Sequence, residues 1–265
     1  MFNSCLVQSH SNPNGTNLLP YQDTTTVIVH RNVTRQHLNQ AKVLSITQSP
    51  RGPSLVQCYA RHTIGKQGIP LEIQKQLQHA QNHDGSPAYL DIYIGAPVIL
   101  RNHNLSQELC ITNGAQGVVQ GISLVPLFPG SKMFYASDIL VEFPSSPVQL
   151  SHLPSGYFPI IPVATQVTTA VYNHSTGISF TIKATRYQLP IQLAFAITSH
   201  GAQGKTLPHV TADLTEKADG LAYVAASRAT NRHGLSITHE ITSLSQLNRP
   251  LNRFLLSRNK MFGSS

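Results

Sequence analysis

The chain has 265 residues, enough for one or two domains. Apolar residues make up 40% and charged residues only 11%, against about 25% in ordinary soluble chains, so the surface must rest on Gln, Asn, Ser, Thr and His. Nineteen Lys and Arg against eleven Asp and Glu leave a net charge of +8, which suits a polyanionic partner without proving one. Cys5, Cys58 and Cys110 are odd in number and form no C-x-x-C pair, which excludes a disulfide framework and a zinc ribbon. No metal site is expected. No apolar run approaches the length of about 18 residues needed to span a bilayer. The opening MFNSCLVQSHSNPNG has neither the basic start nor the apolar core of a secretory signal. A reducing compartment is the expectation, nuclear or else mitochondrial or cytoplasmic, with no secretion and no membrane.

In chain order, residues 1–23 read as a polar, turn-rich and flexible lead-in. Thr24 to His30 is a short β-branched strand, and Asn32 can cap a helix over Val33 to Leu44, with Leu38, Ala41 and Leu44 at helical spacing. Gln48 to Ser54 breaks the pattern with two prolines and a glycine, and a second helix is expected over Leu71 to Ala80. From Asp91 the style changes to short strands and turns, and continues through YFPIIPVATQVTTAVYN, whose prolines suit sheet edges. Ile191 to Thr198 reads as one continuous buried parallel strand, followed by a strand over Val210 to Leu214. Asp219 can cap a helix through ADGLAYVAASRAT, before a last strand at Gly234 to Thr238. The pattern is that of a parallel sheet split by an inserted β module.

Two stretches carry candidate chemistry. Arg228 follows Leu221 by seven residues and so shares the apolar stripe of its helix, where a guanidinium is costly unless it meets an anion. An arginine snorkelling out at a helix C-terminus, or favoured there by the dipole, is the plainer account of this residue taken alone. In Ala196 to Leu207 a buried strand runs into a polar turn with glycines, the usual setting of a phosphate or ligand site. A turn that merely needs glycine is the alternative. Gly204-Lys205-Thr206 is not the end of a P-loop, because Ser199 stands where the P-loop needs glycine and Pro208 opposes a helix after Thr206.

Together these stretches resemble a family. AFAITSHGAQGKTL, about twenty residues before LAYVAASRAT, is similar to motifs V and VI of superfamily-one DNA helicases in the RecD-like, Pif-type and Helitron branch. Their strings run as A-(F/Y)-A-x-T-x-x-K-(A/S)-Q-G-x-T-L and Y-V-A-x-S-R. TVIVHRNVTRQHLN resembles motif IV, and IGAPVILRNHNLSQELCITNGAQGVV resembles the opening of the inserted SH3-like barrel. Thr185 to Pro190 resembles the R-x-Q-(F/Y/L)-P that precedes motif V. The resemblance implies an α/β fold, a partial RecA-like domain of the P-loop-NTPase type (the second motor domain) with an SH3-like β-barrel inserted. It implies RecA-like sequence at 24–90 and 184–240, the insertion at 91–183, and a basic tail at 241–265 carrying Arg249, Arg253, Arg258 and Lys260.

By the same resemblance, Arg228 matches the catalytic arginine finger that reaches the γ-phosphate of ATP. Gln203 and Gly204 match the nucleotide-side turn, and Thr198, Ser199 and His200 match positions at the DNA backbone. Single-stranded DNA is the implied partner, with ATP and Mg²⁺ the implied cofactors. Two departures stand out. Gly201 occupies the place of the family's lysine, which Lys205 replaces only in part. No P-loop and no acidic magnesium motif precede motif IV, so a first motor domain is expected from elsewhere and this chain alone is expected to be inactive. The expected function is therefore the C-terminal motor half of an ATP-dependent DNA helicase. The alternative is a non-catalytic remnant that binds single-stranded DNA or regulates a helicase.

Overall fold

The computed structural model describes residues 25–65, 67–79, 86–173, 177–214 and 221–238. The expected lead-in, Asp219 cap and basic tail lie outside the described residues. In chain order the elements are β1 (Thr26–Val29), α1 (Asn32–Thr47), β2 (Val56–Tyr59), β3 (Arg61–Ile64), β4 (Gln67–Gly68), α2 (Leu71–His79), β5 (Tyr89–Ile92), β6 (Pro97–Leu100), β7 (Gln116–Pro126) and β8 (Phe134–Glu142). They continue with β9 (Tyr157–Ile160), β10 (Val163–Asn173), β11 (Ile178–Gln188), β12 (Ile191–Leu193), β13 (Ala196–Thr198), β14 (Val210–Ala212), α3 (Leu221–Ala226) and β15 (Leu235–Ile237). The chain forms two compact units, one of Met1–Lys42 with Phe195–Ser265 and one of Val43–Ala194. The limits expected at residues 90 and 183 both fall inside the second unit.

The first unit is built on a sheet in the order β13-β1-β14-β15, parallel throughout. Its strands are three or four residues long and almost wholly apolar, as strands covered on both faces must be. Val27, Val29 and Ala196 form a buried cluster with Leu38 of α1 against it. Helix α1 runs to Thr47, past the expected end at Leu44, and the Thr47 hydroxyl donates back to the Val43 carbonyl at 2.9 Å. Its buried face is the expected one only in part, through Leu38. Arg35, Asn39 and Val43 are buried at four-residue spacing, whereas Ala41 is exposed.

The expected continuous strand from Ile191 to Thr198 is in fact two. β12 pairs antiparallel with β6 in the second unit, and β13 pairs parallel with β1 in the first. Composition could not reveal this, because Ile191 on one side of the change and Ala194 to Ile197 across it are all apolar and buried.

The second unit holds a four-stranded sheet, β10-β11-β3-β4, and a seven-stranded sheet in the order β12-β6-β7-β8-β2-β5, with β9 on β8. Pairing is antiparallel except where β2 meets β8. β7 and β10 reach eleven residues, longer than the short strands expected. β9, which carries Pro159, pairs only with β8, as a proline without an amide donor requires. β2 to β4 lie between Ser54 and Leu71, a stretch to which the sequence pattern assigned no element. Leu77 and Ile73 of α2 pack on Val167, Val171 and Ile182 of the β10–β11 hairpin. At the hairpin's margin the Gln76 amide pairs with the Tyr172 backbone in both directions, at 2.7 Å each way, as a neighbouring strand would.

Under α2 lies a polar core. Arg186 has no solvent exposure, and its Nε donates to His62 Nε2 at 2.7 Å. Nη1 and Nη2 donate to the Ser86 and Leu77 carbonyls at 3.0 Å each. His62 thus accepts at Nε2 and is neutral, and its Nδ1 lies 3.1 Å from Gln74 Nε2. Burial first, and the Arg186 charge second, push His62 down from 6.5 to about 3.

The unfolded chain protonates His62 near pH 6.5 and the folded chain only near pH 3, so between these values acid favours unfolding. In urea melts, stability should fall as the pH is lowered through this window, with His62 contributing up to about 1.4 kcal/mol per pH unit. His62→Gln keeps an acceptor for Arg186 and should lose that share of the slope. Arg186→Met should cost about 3–5 kcal/mol at neutral pH, since it strands an imidazole and two buried carbonyls.

Candidate functional site

The carboxyl ends of β13, β1 and β14 lie side by side at one edge of the parallel sheet. Such an edge is where α/β sheets bind their ligands. β13 ends at Thr198, and the chain enters a 3-10 turn over His200–Ala202. Thr198 Oγ1 accepts from the Gly201 amide at 3.2 Å, so the hydroxyl proton can serve a further acceptor. His200 and Gln203 are exposed.

Ser199 is fully buried. Its amide donates to the Val29 carbonyl at 2.8 Å, and its hydroxyl lies 3.1 Å from His30 Nδ1. His30 Nε2 stands 2.9 Å from the Asp213 carbonyl. A histidine donating at Nε2 to that carbonyl accepts at Nδ1 from Ser199, and the chain Ser199–His30–Asp213 fastens the ends of β13, β1 and β14. Ser199 therefore acts from the interior, while Thr198 and His200 flank it toward solvent.

The turn closes with Gly204 at φ +73°, with nothing within 4 Å of where a Cβ would sit, so only the left-handed backbone calls for glycine. Lys205 is half-buried, and that burial lowers its pKa.

Arg228 is not on the apolar stripe of its helix. α3 ends at Ala226, two residues earlier, and the chain leaves the helix to pair with the loop after β13. The Leu207 amide donates to the Arg228 carbonyl at 2.9 Å, and the Thr230 amide donates to the Leu207 carbonyl at 3.0 Å. The half-buried guanidinium donates through Nε to the Val224 carbonyl at 3.0 Å and through Nη1 to the Lys205 carbonyl at 3.1 Å. Nη2 donates to Ser227 Oγ at 3.0 Å. None of the three acceptors is a carboxylate. Gly204 and Arg228, twenty-four positions apart, are thus brought to one place through Lys205.

Asn39 escaped the sequence reading. Its Nδ2 donates to the Ala196 carbonyl at 3.0 Å and its Oδ1 accepts from the Ala196 amide at 2.8 Å, which holds the first residue of β13. An asparagine spaced four residues from the buried Arg35 and Val43 was the available signal. Among the described residues no group of three or more His, Cys, Asp or Glu is placed to hold a metal ion.

No protein-family model matches the chain. The chain is 34% identical over 173 residues to the ATP-dependent DNA helicase PIF6 of Trypanosoma brucei, a match that takes in 64% of this chain and 18% of that protein. It is 49% identical over 53 residues to the ATP-dependent DNA helicase PIF1 of Saccharomyces cerevisiae, across 20% of this chain and 6% of that one. The crystal structure of Pif1 helicase from Candida albicans matches 92% of this chain and 51% of its own, with TM-score 0.55 and 20% identity. That of Bacteroides Pif1 bound to ssDNA matches 92% and 46%, with TM-score 0.56 and 16% identity. In sequence and in fold this stretch of chain is similar to Pif1-type DNA helicases. The chain spans about half the length of those solved structures and under a fifth of the curated relatives.

With only neutral oxygens as acceptors, Arg228→Met should lower stability by less than about 2 kcal/mol in denaturant melts. Gly204→Ala should cost about 1–2 kcal/mol, the penalty of a Cβ in the left-handed region.

Proposed function

We propose that this chain supplies one half of the ATP-driven, single-stranded-DNA-handling machinery of a Pif1-type helicase. In this reading the first unit is a partial RecA-like second motor domain, and the second unit contains the SH3-like insertion. The observation that carries it is the junction of the Gly204 turn with Arg228: the guanidinium is anchored on the Lys205 carbonyl and, among the described residues, bonded to no carboxylate. A guanidinium so held suits an anion such as a γ-phosphate, and a finger of this kind is worth about 10³–10⁵ in rate. Gln203 and Gly204 border the nucleotide, and Thr198 and His200 bind the DNA backbone without reading sequence. Ser199 holds these two in place from inside. ATP and Mg²⁺ enter with a P-loop domain outside this chain, whose lysine and metal ligands supply the other half of the site. The working compartment in this reading is nuclear, mitochondrial or cytoplasmic.

A second reading, a non-catalytic single-stranded-DNA-binding or helicase-regulating module, draws on Gly201, which leaves the turn without the family's cation. A Cβ at Gly201 would meet Thr198 Oγ1 at 3.3 Å, a contact that a small shift relieves, so the cation can be put back.

Fluorescence anisotropy with a labelled single-stranded oligonucleotide tests the DNA side. Affinity should fall with salt, and Gly201→Lys should raise affinity and steepen the log–log salt slope by about 0.7, the contribution of one further phosphate contact. Thr198→Val with His200→Ala should weaken binding, and affinity indifferent to all three changes would refute the DNA assignment. The purified chain should hydrolyse ATP only at background. Turnover that survives Arg228→Ala would overturn the finger. Turnover regained on mixing with a P-loop-bearing domain of a Pif1-type helicase separates the motor half from the non-catalytic module.

A further inference from the structure

A cavity of about 210 Å³ opens in the second unit, between the residues that follow β6, the start of β10 and the β11–β12 turn. Its lining includes Ser86, Arg101, Asn102, His103, Thr165 and Gln188. It lies on a different unit from the Gly204–Arg228 junction and does not rest on the motor-half reading.

The polar groups in this cavity divide sharply. Gln188 is committed to the protein, its Nε2 donating to the Cys58 and Pro87 carbonyls and its Oε1 accepting from the Leu189 amide at 2.9 Å. The Arg101 backbone is committed too, its amide donating to the Pro190 carbonyl at 2.7 Å and its carbonyl lying 3.3 Å from His103 Nδ1. Among the described residues no group accepts from the Arg101 guanidinium, and none of those lining the cavity is acidic. The side chain is half-buried, and burial lowers its pKa. This is the reverse of Arg186, which is deeper still and has an acceptor on each of its three nitrogens.

A partly desolvated guanidinium without an acceptor is unfavourable in the protein alone and favourable with an anion. His103 Nδ1 lies 3.3 Å from the Arg101 carbonyl, and its Nε2 has no hydrogen-bond partner among the described residues. Thr165 adds a hydroxyl and Asn102 an amide, both neutral donors of the sort that complete an oxyanion cradle. The planar fork of arginine matches two oxygens of a tetrahedral phosphate better than a point cation does.

We propose that this cavity is a phosphate-binding site centred on Arg101, taking either a phosphodiester of a nucleic-acid strand or free phosphate. The two sources share the oxyanion and differ in what flanks it.

Chain labelled with ¹⁵N-arginine tests the idea through the Arg101 Nε–H signal, assigned by its loss in Arg101→Lys. At fixed ionic strength, inorganic phosphate should shift that signal saturably, where chloride does not. An oligothymidylate that shifts it at far lower concentration, and is displaced by phosphate, identifies the strand as the source. Phosphate acting alone identifies the free ion. Thr165→Val, which leaves the guanidinium in place, should weaken the response by about threefold to tenfold, as expected for one lost hydrogen bond. An Arg101 signal that responds to neither phosphate nor oligonucleotide beyond the chloride control overturns the proposal. The wild-type titration decides this without depending on the folding of any variant.

Discussion

The second unit is organised by the demand of one buried cation. Arg186 sits in β11 without solvent exposure and has to be satisfied inside. It draws an imidazole from β3, a carbonyl from α2 and a carbonyl at Ser86 into one cluster. A charge that cannot reach water fixes its surroundings more tightly than an apolar side chain of equal size, because each donor lost exposes a full desolvation cost. Two residues on, Gln188 repeats the device with a neutral amide, gripping β2 and the segment before β5 through their carbonyls. The string that carries a family likeness at Thr185 to Pro190 is therefore, in this chain, a pair of internal staples.

The first unit solves a similar problem with smaller groups. Its strands are too short to hold one another by ladder bonds alone, and polar side chains fix their ends. Asn39 grips the start of β13, and the Ser199–His30–Asp213 chain grips its exit together with those of β1 and β14. The edge that carries Thr198 and His200 is rigid at its base for this reason, although the turn beyond it is solvent-exposed.

The legible parts of this chain were those in which local pattern and tertiary role agree. β1, α2 and β14 could be read from branching, a preceding proline and apolar runs to within two or three residues. The site residues could be named only through likeness to known motifs, since neither spacing nor composition distinguishes a phosphate-binding turn from an ordinary one. Two features were illegible for physical reasons. The segment Ile191 to Thr198 changes sheets after a single apolar pair, Ala194-Phe195, that looks like strand interior. Arg228 was read on a helical stripe, but α3 stops at Ala226 because the following backbone pairs with Leu207, a partner twenty-one positions away that no local window contains.

The pairing of β1 with β13 joins Val27 to Ala196, residues separated by 169 positions. A ribosome adding roughly 5–20 residues each second finishes β1 about 8–34 s before its neighbour exists. Through that interval Val27, Ile28 and Val29, all destined for the interior, have no strand beside them. Val43–Ala194 meanwhile can complete both of its sheets from its own sequence, and in doing so replaces a long floppy loop by a folded body. Vectorial synthesis thus favours an inside-out order, in which the central segment folds first and the parallel sheet closes last around a strand made well before its neighbours.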